Sequence, residues 1–155
     1  EIGTAIGYSS INMALKNNVT ITTIERDKSM YNLANNNIEK ANLQNKITTL
    51  FEDALEVDET LLGEFDMIFI DAAKAQSINF FNKYKKLLST KGIIVTDNLL
   101  FHGLVNEEVK TANLRQLLRK IDNFNKFVVE QEDFDTYIYE IGDGMSLSIK
   151  KGVIR

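Results

Sequence analysis

The sequence predicts a doubly wound α/β fold closed by an antiparallel β-hairpin. Three observations carry this expectation. Short β-branched or apolar runs alternate with helical repeats along the whole chain. An acidic residue stands at or just past the end of each of five predicted strands. Near the C-terminus, Asp143-Gly144 separates two alternating segments, which is a hairpin signal.

The elements follow in order. Glu1-Ile2-Gly3 reads as the end of a strand that runs into a glycine loop, Glu1-x-Gly3-x-x-x-Gly7-Tyr8-Ser9. Thr20 to Glu25 is short and β-branched, which suits a buried strand. Asp27 is placed to cap the next helix. There Met30, Leu33, Ala34, Ile38 and Ala41 share one face at helical spacing. Lys46 to Phe51 reads as another strand, with a helix expected between it and the next. Phe65 to Ile70 is nearly continuous apolar, as expected of a strand covered on both faces. A helix follows in which Ile78, Phe81, Tyr84 and Leu88 share a side. Gly92 then opens a strand from Ile93 to Thr96. Leu114, Leu117, Leu118, Ile121 and Phe124 mark the last helix, and Thr136 to Ile141 with Met145 to Lys150 form the hairpin.

Composition limits what the chain can do. Its 155 residues fit one domain, taken as residues 1–155, and the apolar share of 44% is enough for a core. There are no cysteines and one histidine, His102, so disulfides, thiolate chemistry and a zinc site of His and Cys are excluded. Any metal must be held by oxygen, which points to Mg²⁺, Mn²⁺ or Ca²⁺. No apolar run reaches membrane-spanning length, and the opening residues lack the basic start and apolar stretch of a signal peptide. A cytoplasmic setting is the expectation. The net charge of −4 neither demands nor forbids a nucleic-acid substrate, because basic clusters such as Lys110, Arg115, Arg119 and Lys120 stand among more numerous acids.

In sheets of this kind ligands bind outside the carboxyl ends of the strands, so the residues there matter most. Glycines 3 and 7 allow a tight turn and a close ligand. Ser9 sits near a helix start, where free N–H groups favour a carboxylate. The spacing is not the G-x-G-x-x-G of a pyrophosphate binder. Glu25 could accept two hydrogen bonds from a ribose diol. Asp53 could accept from an adenine amino group with Ala54 offering its N–H, or Asp53 could simply cap a helix. Asp71-x-x-Lys74 and Asp97-Asn98 are the sharpest feature. Two carboxylates and an amide oxygen from neighbouring strand ends could hold a hard divalent cation, with Lys74 as general base. The alternative is that the aspartates cap helices and Lys74 pairs with one of them. His102, in the following loop, is a candidate substrate contact, and Asp143 shapes the hairpin turn.

Taken in order, EIGTAIGYSS, TIERD, EDALE, FDMIFIDAAK, IIVTDN and the terminal GDGMSLSIK resemble the cation-dependent O-methyltransferases, which include catechol and caffeoyl-CoA O-methyltransferases. The resemblance implies the Rossmann-like sheet of S-adenosylmethionine (SAM)-dependent methyltransferases, in the order 3-2-1-4-5-7-6 with strand 7 antiparallel. It implies a SAM site at Glu1, Gly3, Gly7, Tyr8, Ser9, Glu25, Asp53, Ala54 and Asp71. It further implies metal ligands Asp71, Asp97 and Asn98 for Mg²⁺ or Mn²⁺, catalysis by Lys74 with Asp71, and a homodimer. Family members carry N-terminal helices and a full first strand, so this chain is expected to lack them. IDAAK and TDNLLFHGLV resemble most the bacterial branch that methylates 5-hydroxyuridine in tRNA, making tRNA the expected partner. A small catechol or caffeoyl-CoA-like phenol is the alternative substrate. A non-catalytic nucleotide-binding Rossmann module is the second alternative.

Overall fold

The computed structural model describes residues 1–97, 99 and 112–152. The chain divides into two units, Glu1–Val57 and Asp58–Arg155.

The first unit is built on two parallel strands, β1 (Ile21–Glu25) and β2 (Ile47–Phe51), paired from Ile21↔Ile47 to Glu25↔Phe51. Ile24 turns its N–H to Glu1 O and its carbonyl to Gly3 N–H, both 3.1 Å. Residues 1–3 therefore run parallel to β1 on the edge away from β2. Helix α1 (Tyr8–Lys16) and helix α2 (Lys28–Lys40) supply the apolar cover. Ala14, Ile38, Leu43 and Ile47 are buried together, with Ile11, Ile21 and Ala41 against them. Asp27 caps α2, its carboxylate accepting from the N–H groups of Ser29 and Met30. The helical periodicity read in α2 is only half used. Ala34 and Ile38 are buried, but Met30 and Leu33 are 42% and 44% exposed.

The second unit holds a four-stranded sheet in the order β3-β4-β6-β5, numbering strands along the chain. Strand β3 (Phe65–Ile70) lies parallel to β4 (Leu88–Asp97); β6 (Met145–Lys150) is antiparallel to β4 and to β5 (Phe134–Tyr139). Helix α3 (Ser77–Tyr84) links β3 to β4, and helix α4 (Ala112–Val129) precedes β5. Their packing centre is aromatic. Phe81 is fully buried, with its ring centroid 5.2 Å from Phe134, 5.6 Å from Phe127 and 6.5 Å from Phe124. Such edge-on pairs add about 0.5–1.5 kcal/mol each beyond burial. No helix among the described residues is long and apolar enough to cross a membrane.

Two element expectations need correction. Between β2 and β3 there is only a 3-10 turn, Glu59–Leu61, and no α-helix. Ala54, Val57 and Leu61 keep a helical spacing, but Asp58 caps a short turn through Thr60 N–H and Gly63 ends it at φ 79°. The strand assigned from Ile93 begins at Leu88, which leaves α3 ending at Tyr84. Gly92 is internal to that strand. Lys91 before it has φ 63°, and the β3–β4 register shifts between Phe65 and Met67, the mark of a bulge. A Cβ on Gly92 would stand 2.8 Å from Leu88 Cγ and 3.0 Å from the Asp66 carbonyl. Apolar periodicity carries Leu88 on from the helix, while the bulge that restarts the strand leaves no period of its own.

Candidate functional site

In the first unit the carboxyl ends of the parallel strands carry Glu1, Glu25 and Asp53. The glycine loop leaves Glu1 and enters α1 at Gly7, whose φ of 83° and buried position against Ala34 suit a residue without a side chain. No side chain caps α1. The N–H groups of Tyr8, Ser9 and Ser10 precede the first intrahelical donor, Ile11, so they form an anion-favouring end. Ser9 is half-buried there and Tyr8 is 71% exposed.

Glu1 is held by hydroxyls. Ser10 and Thr23 both donate to its Oε2, Thr23 at 2.6 Å, and Thr4 shares a hydroxyl contact with Thr23 at 2.6 Å. The second oxygen, Oε1, is buried with no hydrogen-bond partner. A carboxylate oxygen in that state asks for a cationic or N–H donor, and the ammonium of an amino-acid moiety would satisfy it. Glu25 accepts 2.8 Å bonds from Ala5 N–H at Oε2 and Asp27 N–H at Oε1. Each oxygen keeps a lone pair, so a diol could still bind. Asp53 accepts from Leu55 N–H at 2.9 Å and pairs with Arg26 at 3.0 Å. Asp53 thus holds the turn after β2 and not the helix start expected as the alternative, since no α-helix follows it before β3, and Ala54 beside it is buried. Ser10, Thr23, Thr4 and Arg26 were missed in the sequence. Only the Ser9-Ser10 doublet hinted at one of them, and the rest are contacts across 19 to 27 residues.

In the second unit the register aligns the two strand tips. Ile70 on β3 pairs with Thr96 on β4, so Asp71 and Asp97 follow side by side on adjacent strands. Adjacent strands lie about 4.8 Å apart, and two carboxylates so placed repel unless a cation stands between or beside them. Lys74 supplies a positive charge. Its Nζ lies 3.3 Å from Asp71 Oδ1, in the 3-10 turn Lys74–Gln76 before α3. The pairing of Lys74 with an aspartate, which belonged to the alternative to a metal site, is therefore observed. Among the described residues no cluster of three or more acidic or histidine groups forms a cation cage. Asn98 and His102 lie outside the described residues. The oxygen-only donor set at Asp71 and Asp97 fits a hard divalent ion, with other positions left to water and substrate.

The model of the O-methyltransferase family matches residues 1–151, and the chain belongs to that family. It is 33% identical to a catechol O-methyltransferase of Niastella koreensis over 97% of this chain and 72% of that one. A crystal structure from Staphylococcus aureus, of a protein provisionally named caffeoyl-CoA O-methyltransferase, superposes with a TM-score of 0.91 at 40% identity, covering 96% of this chain and 73% of that one. A Bacillus cereus O-methyltransferase in complex with SAH gives a TM-score of 0.83 at 25% identity, covering 97% and 72%. The chain spans about two thirds of the length of the first curated relatives it matches. These likenesses establish the methyltransferase fold anticipated from the motifs.

Proposed function

We propose that this chain carries the catalytic machinery of a SAM- and divalent-metal-dependent O-methyltransferase whose acceptor is a small phenol with two neighbouring oxygens, of the catechol or caffeoyl-CoA type. The observation that carries the reading is the β3–β4 register, which sets Asp71 beside Asp97 at one sheet edge. The relatives named for catechol and caffeoyl-CoA favour this acceptor over the hydroxyuridine of tRNA. Because the family match runs through both units, residues 1–151 are read as one catalytic domain.

Each residue has a role in this reading. The N–H groups at the start of α1 receive the donor's carboxylate, and Glu1 Oε1 its ammonium. Glu25 accepts from the ribose, while Asp53 and Ala54 meet the adenine. Asp71, Asp97 and Asn98 hold Mg²⁺ or Mn²⁺. SAM supplies an electrophilic methyl group, and the cation would draw charge from the acceptor oxygens and orient them. Lys74, as the neutral amine once a cation has taken its place on Asp71, would accept the proton of the attacking hydroxyl. Alignment of oxygen and methyl can contribute roughly 7–11 kcal/mol to such a displacement.

The deciding experiment measures methyl transfer from labelled SAM to catechol, caffeoyl-CoA and hydroxyuridine-containing tRNA, side by side, with Mg²⁺ and with EDTA. Mg²⁺-dependent label on a phenol is the expected result. Label on tRNA alone would replace the acceptor, and SAM binding without transfer to any of the three would reject the reading.

A further inference from the structure

We propose that Asn125 is a positioning residue for the metal site, fastening the main chain just past the β4 tip and thereby fixing the direction of the Asp97 carboxylate. The inference rests on the reading of Asp97 as a metal ligand. Two hydrogen bonds and a buried side chain hold Leu99, two residues beyond Asp97. Its N–H donates to the Gly144 carbonyl at 2.9 Å, in the turn between β5 and β6. Its carbonyl accepts from Asn125 Nδ2 at 3.4 Å. Its side chain is 1% exposed.

The chain on the near side is equally fixed. Asp97 is the last residue of β4 and pairs with Met145 on β6. A strand end held by its ladder on one side and by Leu99 on the other sets the direction in which the Asp97 side chain leaves the main chain. Metal ligands gain affinity from this kind of outer support, because the geometry is set before the ion arrives.

Asn125 is an unusual choice for its place. It sits on α4 beside Phe124 and one turn from Ile121 and Val128, all buried in the core. Its Oδ1 is buried without a hydrogen-bond partner. A leucine would fill that space without a polar atom to satisfy. The amide is explained by what its nitrogen does: among the described residues, Asn125 donates to the carbonyl of Leu99.

The test measures Mn²⁺ affinity by electron paramagnetic resonance and SAH affinity by calorimetry, in the intact protein. Asn125→Leu keeps the number of side-chain heavy atoms and their branching and removes the donor. It should weaken Mn²⁺ binding by about tenfold or more, leave SAH binding unchanged, and raise the Mg²⁺ concentration needed for half-maximal turnover. Asn125→Ser carries the same measurement if the leucine variant does not fold, with a smaller loss expected from its shorter donor. Val128→Ala on the same helix face lowers thermal stability and should leave Mn²⁺ affinity as it was. Equal Mn²⁺ affinity in Asn125→Leu and the parent protein overturns the proposal while leaving the metal reading intact. A parent protein that binds no Mn²⁺ overturns the metal reading and this inference with it.

Discussion

Lys74 Nζ stands 3.3 Å from Asp71 Oδ1, so one carboxylate at the strand tips already carries an ammonium. A divalent cation at Asp71 competes with that ammonium for the same oxygen. Lys74→Ala should lower kcat by about 10²-fold, the small end of what a positioned base contributes. It should also tighten Mg²⁺ binding by at most about fivefold, since a partly exposed pair contributes up to about 1 kcal/mol. SAM affinity should not move. Weaker Mg²⁺ binding in the variant would show that the ammonium supports the site instead of competing for it.

Asp97→Ala removes one of the two aligned carboxylates. Methyl transfer should then no longer respond to added Mg²⁺, while SAH still binds in a calorimetric titration. Turnover that persists at parental rate in the presence of EDTA would end the metal role.

Gly7 gives the glycine loop its entry into α1 at φ 83°. A side chain in that backbone conformation costs roughly 1–2 kcal/mol. Gly7→Ala should therefore weaken SAH binding, as the N–H groups of Tyr8 to Ser10 lose their alignment. Unchanged SAH affinity would place the donor's carboxylate elsewhere.

Gly92→Ala is a stability prediction in the other unit. The new methyl would meet Leu88 and the Asp66 carbonyl at 2.8 and 3.0 Å. Relief means moving backbone, and overpacking of this kind costs about 1–3 kcal/mol. Urea denaturation should show a lower midpoint with an unchanged slope.

Asp27 gives a pH dependence with a definite sign. Hydrogen bonds from the Ser29 hydroxyl and the Met30 and Ser29 amides hold its carboxyl below its ordinary value of 3.8. A carboxyl depressed by folding contributes stability that is present above the unfolded value and is lost as pH falls through the folded one. The melting temperature of Asp27→Ala should lie below that of the parent at neutral pH, and the gap should close in acid below the ordinary carboxylate range. A gap independent of pH would mean that the cap acts without its charge.

Much of this was legible in the sequence, for physical reasons visible in particular residues. Phe65–Ile70 is apolar but for Asp66, and its bounds were read without error, although only Ile68 and Ile70 are buried and Met67 is exposed. Acids directly after such runs mark strand tips, which located Glu25, Asp71 and Asp97. The hairpin followed from Asp143-Gly144, where Gly142 and Gly144 both take positive φ. Met30 and Leu33 were misjudged because a helical period fixes direction and not whether anything lies across from it. Ser10 on Glu1, Arg26 on Asp53 and Asn125 on Leu99 join residues 9, 27 and 26 positions apart. Pairs of that kind exist only once the fold has formed.

Glu25 is fastened to Ala5 and Asp27 before any nucleoside arrives. Its remaining lone pairs therefore point in set directions, and a vicinal diol bound as proposed would meet an acceptor that needs no further ordering. The same fastening makes the residue hard to dissect, because Glu25→Ala would slacken the glycine loop and the lead into α2 together. Glu25→Gln, which keeps the size but can face only one of those amides with an oxygen, would separate the loss of a ribose contact from the collapse of its mounting.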